Sequence, residues 1–174
     1  MRRVLVPLAA FSVVVRSQFM PTIVRFVFVV IAVAAGALAH AEPQTLFETN
    51  CALCHQKGAA GVRGQFPRLA GRIGVIASTP AGRNYLQQVV LFGMAGKVDI
   101  DGAPLVGVMP PFASLSDEDL ASILNYLTQL EAPGAAPHKV TAFTSAELAK
   151  TRGSTALSPT QVNANRAAAV QLRP

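Results

Sequence analysis

Apolar residues recur along this chain in three rhythms, and each predicts a different element. From Phe26 to Leu38 they form one unbroken stretch of 13 residues. In three later segments they return at helical spacing instead. Over 42–56, Phe47, Cys51 and Cys54 fall at i, i+4 and i+7, and Pro43 suits a first helical turn. Over 79–93, Thr79 is a cap and Pro80 an opening residue, Tyr85, Leu86, Val89 and Val90 form the stripe, and Gly93 closes it. From Ser116, with Asp119 as capping-box partner and Leu115 as staple, the positions Leu120, Ile123, Leu124, Leu127 and Leu130 predict a core-facing helix of about four turns. The stripes of the first and last of these helices are expected to pack on each other.

Between Gln56 and Pro110 the rhythm loosens, and ten of the 13 glycines fall there. Such a segment can wrap its backbone closely round a flat ligand. Within it, Val98 to Gly102 reads as a short extended turn. After a linker-like Pro133-Gly134-Ala135-Ala136-Pro137, Thr144 with Glu147 and Ser158 with Gln161 repeat the capping pattern, so two short helices are expected in the tail. The fold class that follows is all-α.

Charge changes the picture less than its total suggests. The net charge is +6, but four of the 15 basic residues, Arg2, Arg3, Arg16 and Arg25, precede residue 42, where no acidic residue occurs. The remainder carries 11 basic against 9 acidic groups, and no basic patch for nucleic acid is expected. The mean hydropathy of +0.40 has the same origin, since much of it comes from the first 40 residues. Arg25, the apolar stretch to Leu38 and Ala39-His40-Ala41 read as a secretory signal starting at Met20 and cleaved after Ala41. Thirteen residues fall short of the roughly 20 that span a bilayer. The Arg2-Arg3 pair also matches a twin-arginine signal, the less favoured reading.

Cys51-Ala52-Leu53-Cys54-His55 carries the chemistry. The C-x-x-C-H pattern is the attachment signature of a c-type haem: two thiols on one helical face reach the two vinyl groups, and the histidine ligates iron. A thioredoxin-like dithiol would follow a strand in a βαβ setting, and no strand is expected before Cys51. Structural zinc would need a second ligand pair, and only His138 remains in the mature chain. For the sixth iron position Met109 is favoured, because Pro110 and Pro111 stiffen the backbone beside it. Met94, His138 and an open site remain as alternatives.

These residues, with Phe66-Pro67-Arg68-Leu69-Ala70-Gly71, Gly107-Val108-Met109-Pro110-Pro111-Phe112, Leu115 to Asp119 and Ile123 to Leu127, resemble a class I c-type cytochrome of the bacterial monohaem type over about 43–131. The resemblance implies a small cytochrome c fold round one covalent haem c with its iron. Cys51 and Cys54 would hold the thioethers, and His55 and Met109 would be the axial ligands. It further implies that the Pro67 carbonyl accepts a hydrogen bond from His55, that Arg72, or equally Arg68, faces a propionate, and that Tyr126 packs on the N-terminal helix. Pro43 stands where many members have a glycine at the helix crossing.

The expected organisation is a leader over 1–41, a haem domain over 42–131 and a linker with a short-helix extension over 132–174. The leading function is a periplasmic one-electron carrier, not an enzyme, with a dehydrogenase and a respiratory-chain acceptor as redox partners and no membrane span in the mature chain. Two alternatives stand beside it: a peroxidase-like enzyme or gas sensor with an open sixth site, and a haem subunit docked in a larger dehydrogenase.

Overall fold

The computed structural model describes residues 41–100, 102–131 and 140–170. The leader up to His40, Asp101, and the linker with His138 lie outside the described residues.

Helix α1 (Pro43–Asn50) opens on its proline and buries Phe47 completely. The single helix expected over 42–56 is in fact two, because Cys51 leaves helical geometry at φ −122° and α2 (Ala52–His55) starts after it. Chain continuity is kept by Cys51 N–H donating to the Phe47 carbonyl and His55 N–H to that of Cys51, at 2.8 and 2.9 Å.

Two elements of the glycine-rich segment are not signalled by its spacing. Helix α3 (Ile73–Ala77) buries Ile73, Ile76 and Ala77. Strands β1 (Met94–Ile100) and β2 (Ala103–Met109) form an antiparallel hairpin in unbroken register from Met94↔Met109 to Ile100↔Ala103. This hairpin corrects the all-α expectation, and Val98 to Ile100 of the expected short extended turn are the last residues of β1. Asp-Gly at 101–102 is a strong two-residue hairpin signal.

Between these elements runs α4 (Pro80–Phe92), where the Thr79 hydroxyl accepts from Gly82 N–H at 3.0 Å. Helix α5 (Asp117–Gln129) is capped by Ser116 and buries Leu120, Ile123, Leu124 and Leu127. Only the Ser116 side of the expected capping box is made there. Phe47 meets Tyr126 of α5 at 5.6 Å between ring centroids, tilted by 43°, an edge-biased geometry that aromatic pairs favour.

Helices α6 (Ser145–Arg152) and α7 (Pro159–Ala169) each start on a reciprocal capping box, Thr144 with Glu147 and Ser158 with Gln161. Their Leu148 and Val162 are fully buried in the core shared with Phe47, Leu91, Leu120 and Leu124. Each such side chain contributes about 1.5–3 kcal/mol. Helix α7 also covers the outer edge of β1, because Asn163 and Arg166 donate to the Lys97 and Asp99 carbonyls. An edge so capped cannot template pairing with another chain.

Arg83 fastens α6 to α4. Its guanidinium pairs with both Glu147 carboxylate oxygens at 2.8 Å, donates to the Thr141 and Ala142 carbonyls and lies 3.9 Å over the Phe143 ring. The Arg83 hydrogen bonds hold the Glu147 carboxyl down at about 2, against an ordinary 4.5. A folded-state value below the unfolded one means stability that is fully present above pH 4.5 and is lost as pH falls towards 2. Arg83→Ala is expected to cost about 2 kcal/mol at neutral pH and to flatten this acid dependence, measured by denaturant titration at several pH values.

Candidate functional site

The paired thiols sit at the junction of α1 and α2, both partly buried and not joined to each other. Burial and the neighbouring Cys54 push the Cys51 thiol up to about 11. A redox-active C-x-x-C depresses its nucleophilic thiol, so the direction argues against the dithiol reading. Among the described residues no group of three or more His, Cys, Asp or Glu could hold a metal ion.

His55 is buried at 6% exposure. Burial lowers its pKa, while the bond to Pro67 works the other way, so the neutral imidazole is favoured. Its Nδ1 lies 2.9 Å from the Pro67 carbonyl. The carbonyl can only accept, so Nδ1 carries the proton and Nε2 presents its lone pair.

Pro67 is itself packed from behind by one of the ten glycines of the glycine-rich segment, which its spacing does not set apart from the others. Gly61, at φ +67°, donates its N–H to the His55 carbonyl at 2.8 Å. A Cβ there would lie 2.5–2.7 Å from the backbone of Phe66, Pro67 and Arg68. Gly61→Ala is therefore expected to cost at least about 2 kcal/mol, from left-handed backbone plus displaced loop, and to disturb the His55–Pro67 bond. Thermal unfolding and the redox potential of the variant would show both effects.

Opposite this loop lies the hairpin. A groove runs between Phe66, Pro67 and Arg68 on one side and Ile100, Ala103 and Leu105 on the other. Strand alternation assigns Leu105, Gly107 and Met109 to one face of β2, and Val106 and Val108, 77% and 75% exposed, to the other. Met109 thus shares the face that lines the groove, and Gly107 leaves room between it and Leu105.

Gly93 fixes where Met109 starts. At φ +75° it ends α4, and a Cβ on it would stand 2.6 Å from the Met109 carbonyl and 3.0 Å from Pro111 N. Phe112 N–H then donates to the Val90 carbonyl at 2.8 Å. Met94, the alternative thioether, is the cross-strand partner of Met109, but its sulfur accepts a hydrogen bond from the buried Tyr85 hydroxyl at 3.0 Å. Arg72 is buried at the start of α3, whereas Arg68 borders the groove and donates to the Ala70 carbonyl at 2.5 Å.

Two thiols beside a neutral imidazole, oriented by the Pro67 carbonyl of the loop that lines the groove, are the donor set that a covalently tethered haem requires. Comparison with known proteins gives the same class. Residues 38–127 match the family described as cytochrome c oxidase, cbb3-type, subunit III. The chain is 37% identical over 130 residues to a cytochrome c-552 of Thermus thermophilus, covering 75% of this chain and 86% of that one. A second Thermus thermophilus cytochrome c-552 is 38% identical over 117 residues, 67% of this chain and 88% of the other. The cytochrome c subunit of the quinone alcohol dehydrogenase of Gluconobacter oxydans is 38% identical over 79 residues, 45% of this chain and 16% of that subunit.

The chain belongs to the c-type cytochromes, as a monohaem class I member. It binds haem c covalently, with its iron, and its function is electron transfer.

Proposed function

We propose that the haem is tethered through Cys51 and Cys54, that its iron is ligated by His55 Nε2 and Met109 Sδ, and that the protein carries single electrons between a periplasmic dehydrogenase and the respiratory chain. The haem supplies an iron that cycles between ferrous and ferric states. The protein's own residues hold and tune it. Pro67 fixes the imidazole's tautomer and plane. Arg68, on the groove wall, and Arg72 are the cations for the propionates. The neutral thioether of Met109 favours ferrous iron and so keeps the potential relatively high.

The observation that carries this reading is the 2.9 Å contact of His55 Nδ1 with the Pro67 carbonyl. It fixes the orientation of the other ring nitrogen, while strand alternation puts Met109 on the face of β2 whose Ala103 and Leu105 line the groove beside Pro67. The test is the visible spectrum of the purified protein with and without carbon monoxide. A haem spectrum unmoved by the gas is expected; ready binding to the reduced protein would overturn the His/Met assignment and favour the open-site enzyme or sensor. That alternative needs a distal acid or base, and among the described residues His55 is the only histidine.

Location and organisation follow the same reading: residues 1–41 as a leader to the periplasm, 42–131 as the haem domain and 132–174 as an extension. No helix among the described residues is long and apolar enough to cross a membrane. The likeness to a dehydrogenase cytochrome subunit supports a dehydrogenase as electron donor, either as a diffusing encounter or as a docked complex. Elution of the native protein at monomer size after mild detergent extraction would favour the former.

A further inference from the structure

The segment from Pro110 to Ser116 carries no helix or strand of its own, yet it leads directly out of Met109. Pro110 and Pro111 have no N–H to donate. The segment's last residue, Ser116, is tied to α5 by Leu120 N–H on its carbonyl at 3.0 Å, and the bonds that tie the backbone of 110–115 to the rest of the protein, among the described residues, come from two sources. One is Phe112 N–H on the Val90 carbonyl. The other is a single side chain of the C-terminal extension. Arg152 donates through Nη1 to the Ala113 carbonyl at 2.6 Å, through Nη2 to that of Leu115 at 2.9 Å and through Nε to the Asp117 carboxylate at 2.9 Å.

All three bonds come from one planar fork, so the guanidinium fixes the loop's position relative to the start of α5. The base beneath it is rigid. Leu148 of the same helix is fully buried, and the Thr151 hydroxyl, next to Arg152, donates to Gln87 of α4 at 2.7 Å, whereas the Arg83–Glu147 pair lies at the helix's other end. Arg152 also stands in the last turn of α6, where the helix end favours a cation.

We propose that Arg152 is a positioning residue for the distal iron ligand: by bonding Ala113, Leu115 and Asp117 it holds the loop that keeps the Met109 thioether on the haem iron. The inference rests on the His/Met reading above. Its physical basis is that a ligand on a loosened loop spends more time detached, and an added ligand then competes with it more successfully. The ferric state shows this first, because a soft thioether binds ferric iron less strongly than ferrous.

The experiment is a titration of the ferric, haem-loaded full chain with imidazole, followed by the visible spectrum, in the native protein and in Arg152→Ala, Arg83→Ala and Met109→Ala. Arg83→Ala is the control, since it loosens the same helix without touching 113–117. The expected result is imidazole binding about tenfold tighter in Arg152→Ala, the scale of losing one or two charge-assisted hydrogen bonds. Arg83→Ala should change it by less than about twofold, although it lowers stability. Arg152→Lys keeps a charge beside Asp117 but loses the fork, and an intermediate shift is expected. It serves as the reading if the alanine variant does not fold. Equal shifts in the Arg152 and Arg83 variants, or none in the former while Met109→Ala frees the iron, would overturn the positioning role alone. A Met109→Ala protein with unchanged spectrum and imidazole affinity would overturn both that role and the His/Met reading.

Discussion

Met109→Ala is expected to open the sixth iron position: the reduced variant binds carbon monoxide readily, and its potential falls by on the order of 0.1 V or more, within the ~0.8 V that axial ligands span. The direction follows from what is removed. A thioether is neutral and soft and favours ferrous iron; water or hydroxide in its place favours ferric. The alternative thioether is not expected to substitute. Met94 faces Met109 across the hairpin, but its sulfur is engaged by Tyr85 at 3.0 Å, and burial holds that phenol protonated, pushed up to about 12. Met94→Leu should therefore leave the spectrum and carbon monoxide response as they are. If Met94→Leu opens the site and Met109→Ala does not, the ligand assignment is reversed. Redox titration with carbon monoxide binding on the two variants decides between them.

The helices around this site announce themselves locally. Thr79-Pro80 and Ser116 are cap signals within one turn of the residues they serve, and Leu120, Ile123, Leu124 and Leu127 are 1–4% exposed, as their spacing requires. The hairpin is less legible for a physical reason. Gly96 and Gly107 stand without side chains on the face that buries Val98 and Leu105, and Val106 and Val108 are apolar on the exposed face, so the two-residue alternation that marks a half-buried strand is blurred. Only the Asp-Gly dipeptide carries a hairpin signal, and without flanking alternation it reads as a turn alone. The break at Cys51 is invisible because each half of the expected helix satisfies the same apolar spacing.

The residues that hold the site in place are harder still. Arg152 reaches partners 35 to 39 positions away and Arg83 reaches partners 58 to 64 away, so nothing in their own neighbourhoods sets them apart from other arginines. Gly61 and Gly93 stand among ten glycines of one segment, and only the close backbone behind each distinguishes it. The chemistry is thus readable from a five-residue motif, whereas its support depends on contacts that exist only after folding.

Replacing Cys51 and Cys54 together by alanine should have the largest effect of all: no haem stays with the polypeptide on a denaturing gel, and the helical circular dichroism of the purified chain collapses. The groove explains why loss of the tether reaches the fold. Phe66, Pro67 and Arg68 are brought opposite Ile100, Ala103 and Leu105 with the groove between them, and filling it with a large apolar ring stabilises both sides by mass action on the folded state. A covalent tether makes the effective ligand concentration very high; without it the haem is a freely dissociating ligand. Single variants keep one thioether and are expected to retain haem at lower yield and lower melting temperature. A double variant that folds natively without haem would show that the fold does not depend on the tether, whereas haem that acidified organic solvent extracts from the native protein would overturn the thioether assignment to Cys51 and Cys54. In the first case the core shared by α1, α4, α5, α6 and α7 would be sufficient alone, and the burial of Leu148 and Val162 would outweigh the cofactor in holding the chain together.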